Sequence, residues 1–136
     1  MVLKPYGFLC ISNAMQWTVV LAVEFDAEFD ALHPDVQDEL LSRLKLLEQF
    51  GPGLGRPNVD TLYDSSFSNM KELRFQLDGV WRFAFAFDPQ RQAVILVGGD
   101  KEGESQERFY RNLIKQADER FGNHLKRLQQ SKKEST

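Results

Sequence analysis

One cysteine, Cys10, stands in the whole chain, so no internal disulfide can form. A reducing, cytoplasmic setting is therefore expected. Histidine is nearly as scarce: His33 and His124 are the only two, and no Cys/His set has the spacing of a zinc site. No structural metal and no cofactor are expected. Long apolar runs are missing as well, and none approaches the ~20 residues a membrane helix needs. The first fourteen residues carry a single lysine, Lys4, and are broken by Pro5 and Gly7, which denies them the apolar core of a signal peptide. Gly98-Gly99-Asp100-Lys101 lacks the Walker spacing and the closing Ser or Thr of a phosphate loop. There is no Ser/His/Asp or Cys/His combination, no pair of carboxylates on an obvious rigid element, no repeat and no interdomain linker. Triad hydrolases, zinc proteins, membrane spans and solenoids are all disfavoured by these gaps.

What is present describes one globular domain. A chain of 136 residues can bury roughly two-thirds of its unfolded surface. Hydrophobic residues at 42% and charged residues at 27% exclude wholesale disorder. Eleven phenylalanines point to an aromatic core. The net charge of −3 conceals an asymmetry. Residues 1–64 hold four basic and ten acidic side chains, a net −6, whereas residues 65–136 hold thirteen and ten, a net +3. Such a chain offers a polyanion one face only, unless the charges simply scatter over solvated surfaces.

Residues 1–14 are expected to be an extension ahead of a domain starting near Met15, or else an extra edge strand or arm. Gln16–Val23 is β-branched and apolar and predicts a strand. Phe25, Phe29 and Leu32 sit at helical spacing. Pro34 suits the first position of a longer helix, with Asp35 and Asp38 favouring its dipole. Val36, Leu40, Leu44 and Leu47 form the stripe of that helix, and Gly51-Pro52 stops it. The stretch 51–69 is loop-like, rich in Gly, Pro, Asn and Ser. Three strands follow, Lys71–Gln76, Val80–Phe87 and Gln92–Val97, and the unalternating AVILV of the last predicts a central strand covered on both faces. Ser105 is placed to cap a final helix reaching about Gln129, which leaves residues 131–136 as a polar tail. The fold class predicted is α+β: a mainly antiparallel twisted sheet of about four strands, two helices from the N-terminal half on one face, and a C-terminal helix. The domain is expected over 15–130.

The first hairpin can be registered from its side chains. A two-residue Asp78-Gly79 turn would mix charges and aromatics on both faces. A three-residue loop, Leu77-Asp78-Gly79 with Gly79 left-handed, pairs Arg74 with Arg82 and sorts them. One face then carries Leu73, Phe75, Trp81, Phe83, Phe85 and Phe87. The other, expected to be the non-core face, carries Glu72, Arg74, Gln76, Arg82, Ala84 and Ala86. Two neighbouring arginines repel unless an anion or an acid lies between them, and guanidinium suits phosphate. Lys101, at the end of the central strand, can reach the rim of this face. Arg108, Tyr110, Arg111 and Lys115 of the last helix form a wall beside it. A structural network, with Arg74 and Arg82 paired to Glu72, Asp100 or a helix acid, is the competing reading. His124 is the one imidazole near the basic half, a surface or capping residue or a proton carrier.

Five stretches carry a resemblance: LLEQFGPGLGRPNVDTL (46–62), SNMKELRF (68–75), WRFAFAFD (81–88), ILVGGDKEG (95–103) and FYRNLIKQADERFGNHL (109–125). In order and spacing they resemble the RelE/ParE toxin superfamily, and their wording is similar to its phage-derived Gp49-like branch, which contains HigB toxins. The resemblance covers about Met15 to Leu125. It implies a RelE-like fold and the toxin of a type II toxin–antitoxin system, a metal-independent endoribonuclease cutting mRNA on the translating ribosome. Carried over by position, the arginine of the ELR motif is Arg74, the one opening the next strand is Arg82, and the lysine after the third strand is Lys101. Those three would stabilise the phosphorane. Proton transfer would fall to Tyr110, His124 or Lys101, with Lys71, Arg108, Arg111 and Lys115 binding RNA. The partners implied are mRNA, the ribosome and a helix-turn-helix antitoxin. A pI near 5.4 confines RNA attraction to one patch. A non-enzymatic gyrase inhibitor of the ParE kind and a non-toxic phage-derived binding protein are the alternatives.

Overall fold

The computed structural model describes residues 2–3 and 16–134. The elements are β1 (Val2–Leu3), β2 (Thr18–Leu21), α1 (Val23–Asp30), α2 (Pro34–Phe50), β3 (Val59–Thr61), β4 (Met70–Gln76), β5 (Val80–Phe87), β6 (Gln92–Asp100) and α3 (Gln106–Glu134). Apart from β1, which pairs antiparallel with β2, the expected extension lies outside the described residues.

Local chemistry places the helices. The His33 ring accepts a hydrogen bond from the Asp35 backbone N–H at 3.1 Å, Pro34 occupies the first turn, and α2 begins there. Its stripe of Val36, Leu40, Leu44 and Leu47 is buried, and Gly51, at a φ of 54°, ends it. Ser105 caps α3 through its hydroxyl, which accepts from Arg108 N–H at 3.3 Å. The helix runs to Glu134, five residues past the expected Gln129. The added turn keeps Lys132 and Lys133 near the carbonyl end, where cations are favoured.

The strands form one sheet in the order β1-β2-β6-β5-β4-β3, antiparallel except for the β2–β6 pair. The apolar β6 is central, between β2 and β5, as its composition predicts. Among the described residues six strands stand where about four were expected: β1 is the edge strand that residues 1–14 left open, and β3 is too short to show a period of two. The Gln16–Val23 strand is trimmed to β2: Trp17 N–H bonds to the Glu48 carbonyl, and Val23 already starts α1.

β4 and β5 pair Arg74 with Arg82, Phe75 with Trp81 and Leu73 with Phe83, the register of the three-residue loop. One detail differs. The left-handed residue is Asp78, at φ 46°, and not Gly79. Gly79 is needed for another reason, since any Cβ there would run into the Asp100 carboxylate. That carboxylate accepts from the Val80 and Glu102 N–H groups, both at 2.9 Å.

Both faces of the sheet are buried. On one, Phe83 lies 6.0 Å from Phe25 of α1 and 5.7 Å from Phe75, over which the Arg43 guanidinium of α2 sits. Trp81 stacks on Phe83 at the margin, half-buried, with its indole N–H donating to the Leu77 carbonyl. The other face, expected to be outside the core, is roofed by α3: Met70, Ala84 and Ala86 are fully buried, and Phe109, Leu113, Ala117 and Phe121 of the helix are buried against them. The alanines make room for the helix. Each buried Phe contributes roughly 1.5–3 kcal/mol, and both faces bury phenylalanines, with Phe25, Phe75 and Phe83 on one and Phe109 and Phe121 on the other.

Candidate functional site

Residues two apart on a strand share a face, so Glu72 and Arg74 of β4 lie together beneath the start of α3, across from Arg82 of β5. Like charges directly opposite destabilise a sheet. Glu72 resolves the conflict. Its Oε1 lies 3.7 Å from Arg82 Nε and its Oε2 lies 3.9 Å from Arg74 Nε. The Tyr110 hydroxyl bridges the group, donating to Glu72 Oε1 at 2.8 Å and accepting from Arg82 Nε at 3.2 Å. Arg82 Nη1 donates to the carbonyl of Trp81 at 2.9 Å. Burial comes first among the causes that push the Tyr110 hydroxyl above the ordinary tyrosine range, and the Glu72 hydrogen bond adds to it. Tyr110 therefore stays protonated.

Arg74 is less well satisfied. Its side chain is 29% exposed, its Nη1 lies 3.6 Å from Asp60 Oδ2, and its Nε is buried with no hydrogen-bond partner. A buried N–H left in this way costs about 1–3 kcal/mol. The exposed part of the Arg74 side chain lines the groove, where an anion can meet its charge.

The walls come from three elements. On β3, Asp60 accepts two bonds from Arg56, at 2.6 and 3.1 Å, and one from the Thr61 N–H. The Arg56 bond, more than any other cause, holds the Asp60 carboxyl below its ordinary range. At the end of β6, Lys101 N–H is tied to the Val80 carbonyl, and its Nζ lies 3.3 Å from Gln106 Oε1 and 5.6 Å from the centre of the Tyr110 ring. Burial lowers its pKa, and the Arg82 charge lowers it further. From α3, Tyr110 with Ile114 and Arg111 with Lys115 project at i, i+4 spacing. Between these walls lies an open groove of about 1070 Å³ that also includes Leu62, Tyr63 and Asp64. Five cations line it, Arg56, Arg74, Lys101, Arg111 and Lys115, against the carboxylates of Asp60, Asp64, Glu72 and Glu107.

Of the residues predicted from sequence, Arg74, Lys101, Tyr110, Arg111 and Lys115 line this groove, and Arg82 sits behind its floor, 6% exposed. Lys71 shares the strand face of Leu73 and Phe75, opposite the arginines. Arg108 is exposed on α3 away from the groove lining. His124 is elsewhere too. It lies fourteen residues beyond Tyr110, about 21 Å along the helix. There its Nε2 bonds to Asp88 Oδ2 at 2.8 Å and its ring stacks on Phe121. The buried Asp88 also accepts from the Gln90 and Gln92 N–H groups and the Gln92 amide, so His124 pins α3 to the β5–β6 turn. From sequence Glu72 is only a charge partner, although its i, i+2 spacing to Arg74 puts it on the groove side. Arg56, Asp60 and Tyr63 were hidden in a stretch read as loop. Among the described residues, no group of three or more His, Cys, Asp or Glu side chains is placed to hold a metal ion. No helix among them is long and apolar enough to cross a membrane.

Comparison with known proteins adds a second line. The family profile described as phage derived protein Gp49-like matches residues 27–122. A Mycobacterium tuberculosis protein bearing the provisional toxin name HigB3 is 47% identical over 107 residues, which is 79% of this chain and 92% of that relative. A second protein of the same organism, bearing the provisional toxin name HigB2, is 36% identical over 133 residues, or 96% of this chain. The chain spans 64% of the length of that second relative. No solved structure matches the chain.

Proposed function

The chain belongs to the phage-derived Gp49-like family, and from that membership we propose that it is the toxin of a toxin–antitoxin pair and a ribonuclease that cuts mRNA on translating ribosomes. The observation that carries the second half is the floor of the groove. Two arginines, a carboxylate, a tyrosine and a lysine of depressed pKa converge there beneath an open groove of about 1070 Å³.

The chemistry follows from the positions. A phosphodiester lying in the groove places its non-bridging oxygens on Arg74 and Lys101. Arg82 adds positive charge from behind the floor, fixed by Trp81, Tyr110 and Glu72, and stabilises the phosphorane without touching it. Glu72 takes the proton of the 2′-hydroxyl. The 2′-oxygen then bonds to phosphorus, the bond from phosphorus to the 5′-oxygen breaks, and the departing oxygen takes a proton from Lys101. The products are a 2′,3′-cyclic phosphate and a 5′-hydroxyl end. Burial and the neighbouring arginine make Lys101 a stronger acid than a free lysine, which suits it to this last step. Tyr110, with its raised pKa, is a positioning residue that keeps Glu72 and Arg82 in register.

The setting is the cytoplasm, and the partner that silences the protein is a small helix-turn-helix antitoxin. Purified protein added to a translating extract should cut messages at discrete positions, read by primer extension. Intact messages beside a defect in DNA supercoiling would put gyrase in the place of RNA.

A further inference from the structure

We propose that Tyr63 is a stacking platform for one base of the single-stranded RNA whose phosphate lies over Arg74, an inference that rests on the ribonuclease reading above. Among the described residues, Tyr63 is the most exposed of the large hydrophobic side chains, at 84%. It lines the same groove as Arg74, Lys101 and Tyr110. The chain around it is fixed. On one side Leu62 is buried and its N–H donates to the Met70 carbonyl at 3.0 Å. On the other, the Ser65 hydroxyl and the Ser66 N–H both donate to the Asp118 carboxylate of α3, and Phe67 packs edge-on against Phe121 at 5.0 Å. An aromatic ring held out from an anchored loop gives up burial without gaining freedom, which is what a platform for a flat partner requires.

Its place in the chain keeps it near the phosphate site. Asp60, directly across from Glu72 in the sheet, lies 3.6 Å from Arg74, and Tyr63 is three residues further on, at most about 10 Å of extended chain. The cations Lys101, Arg111 and Lys115 line the same groove as the ring; they suit an RNA backbone, and the ring offers the face for a base. Cationic groove and aromatic face together are the two components of single-strand recognition.

The test is an anisotropy titration of a short fluorescein-labelled single-stranded RNA with the full chain and three variants. Tyr63→Ala should weaken binding roughly 5- to 150-fold, the range for loss of one stacked base, while Tyr63→Phe stays near the parent and Arg74→Ala also weakens. Circular dichroism should be unchanged, because the ring is exposed. If Tyr63→Ala binds as the parent does while Arg74→Ala is weakened, the stacking role is wrong and the ribonuclease reading stands. If Tyr63→Phe falls as far as Tyr63→Ala, the hydroxyl acts in place of the ring, and stacking is again overturned. A parent chain with no affinity for the RNA overturns the inference, and message cleavage on translating ribosomes then decides the reading beneath it.

Discussion

Replacing Glu72 by alanine tests whether the polar floor of the groove is one coupled unit. Glu72 and Arg82 are each 7% exposed, so little solvent screens the charge that remains when one of them is removed. The Glu72→Ala chain keeps a buried guanidinium without its carboxylate, leaves the Tyr110 hydroxyl without its acceptor, and faces Arg74 with Arg82 across the sheet with nothing between them. Breaking a buried pair on one side costs about 3–5 kcal/mol, a large part of the ~5–15 kcal/mol that holds a domain of this size. At about 3 °C per kcal/mol, the melting temperature should fall by roughly 9–15 °C. Glu72→Gln retains an amide oxygen for Tyr110 and should lose less, about 1–3 kcal/mol, which makes it the variant in which activity can be read on a folded chain. Urea unfolding at constant m-value measures both losses. If Glu72→Ala unfolds within about 1 kcal/mol of the parent, the two arginines are independently solvated and the coupled floor is refuted.

The remaining predictions concern the acid and the histidine. Lys101 donates only while protonated, so cleavage should fall as pH rises through its depressed pKa, with an alkaline limb below the ordinary lysine value of about 10.4. Lys101→Arg, whose guanidinium stays charged, should abolish that limb together with most of the rate; a limb unmoved by the substitution would assign it to another group. His124→Ala should lower stability by about 1–2 kcal/mol, since Asp88 keeps its three other donors, and should leave message cleavage intact. A folded His124→Ala protein with no activity would move the reacting centre to the other end of α3.

Long periodic elements were legible before the structure. The stripe of α2, the composition of β6 and the sorting of aromatics from arginines across the hairpin each follow from one period imposed on many residues. The hairpin register was readable because the wrong one would have put charge on both faces of the sheet. What escaped was short or supported from afar. β3 is three residues long, too brief to alternate visibly, and it carries Asp60, whose ion pairs with Arg56 and Arg74 need the folded sheet. The roof over the arginine face was missed because the stripe of α3 does not name the surface it covers. His124 stands out in the sequence as the one imidazole near the basic half, but its partner Asp88, thirty-six positions away, is not legible there.

The ends left on cleaved RNA test the central claim most directly. Messages cut by the purified parent on translating ribosomes should carry a 2′,3′-cyclic phosphate on one fragment and a 5′-hydroxyl on the other. Arg74→Ala, folded by circular dichroism, should make the same ends roughly 30- to 1000-fold more slowly, the loss of about 2–4 kcal/mol of transition-state stabilisation. Cleavage at the parental rate by a folded Arg74→Ala protein, or fragments ending in 5′-phosphate and 3′-hydroxyl, would contradict the account.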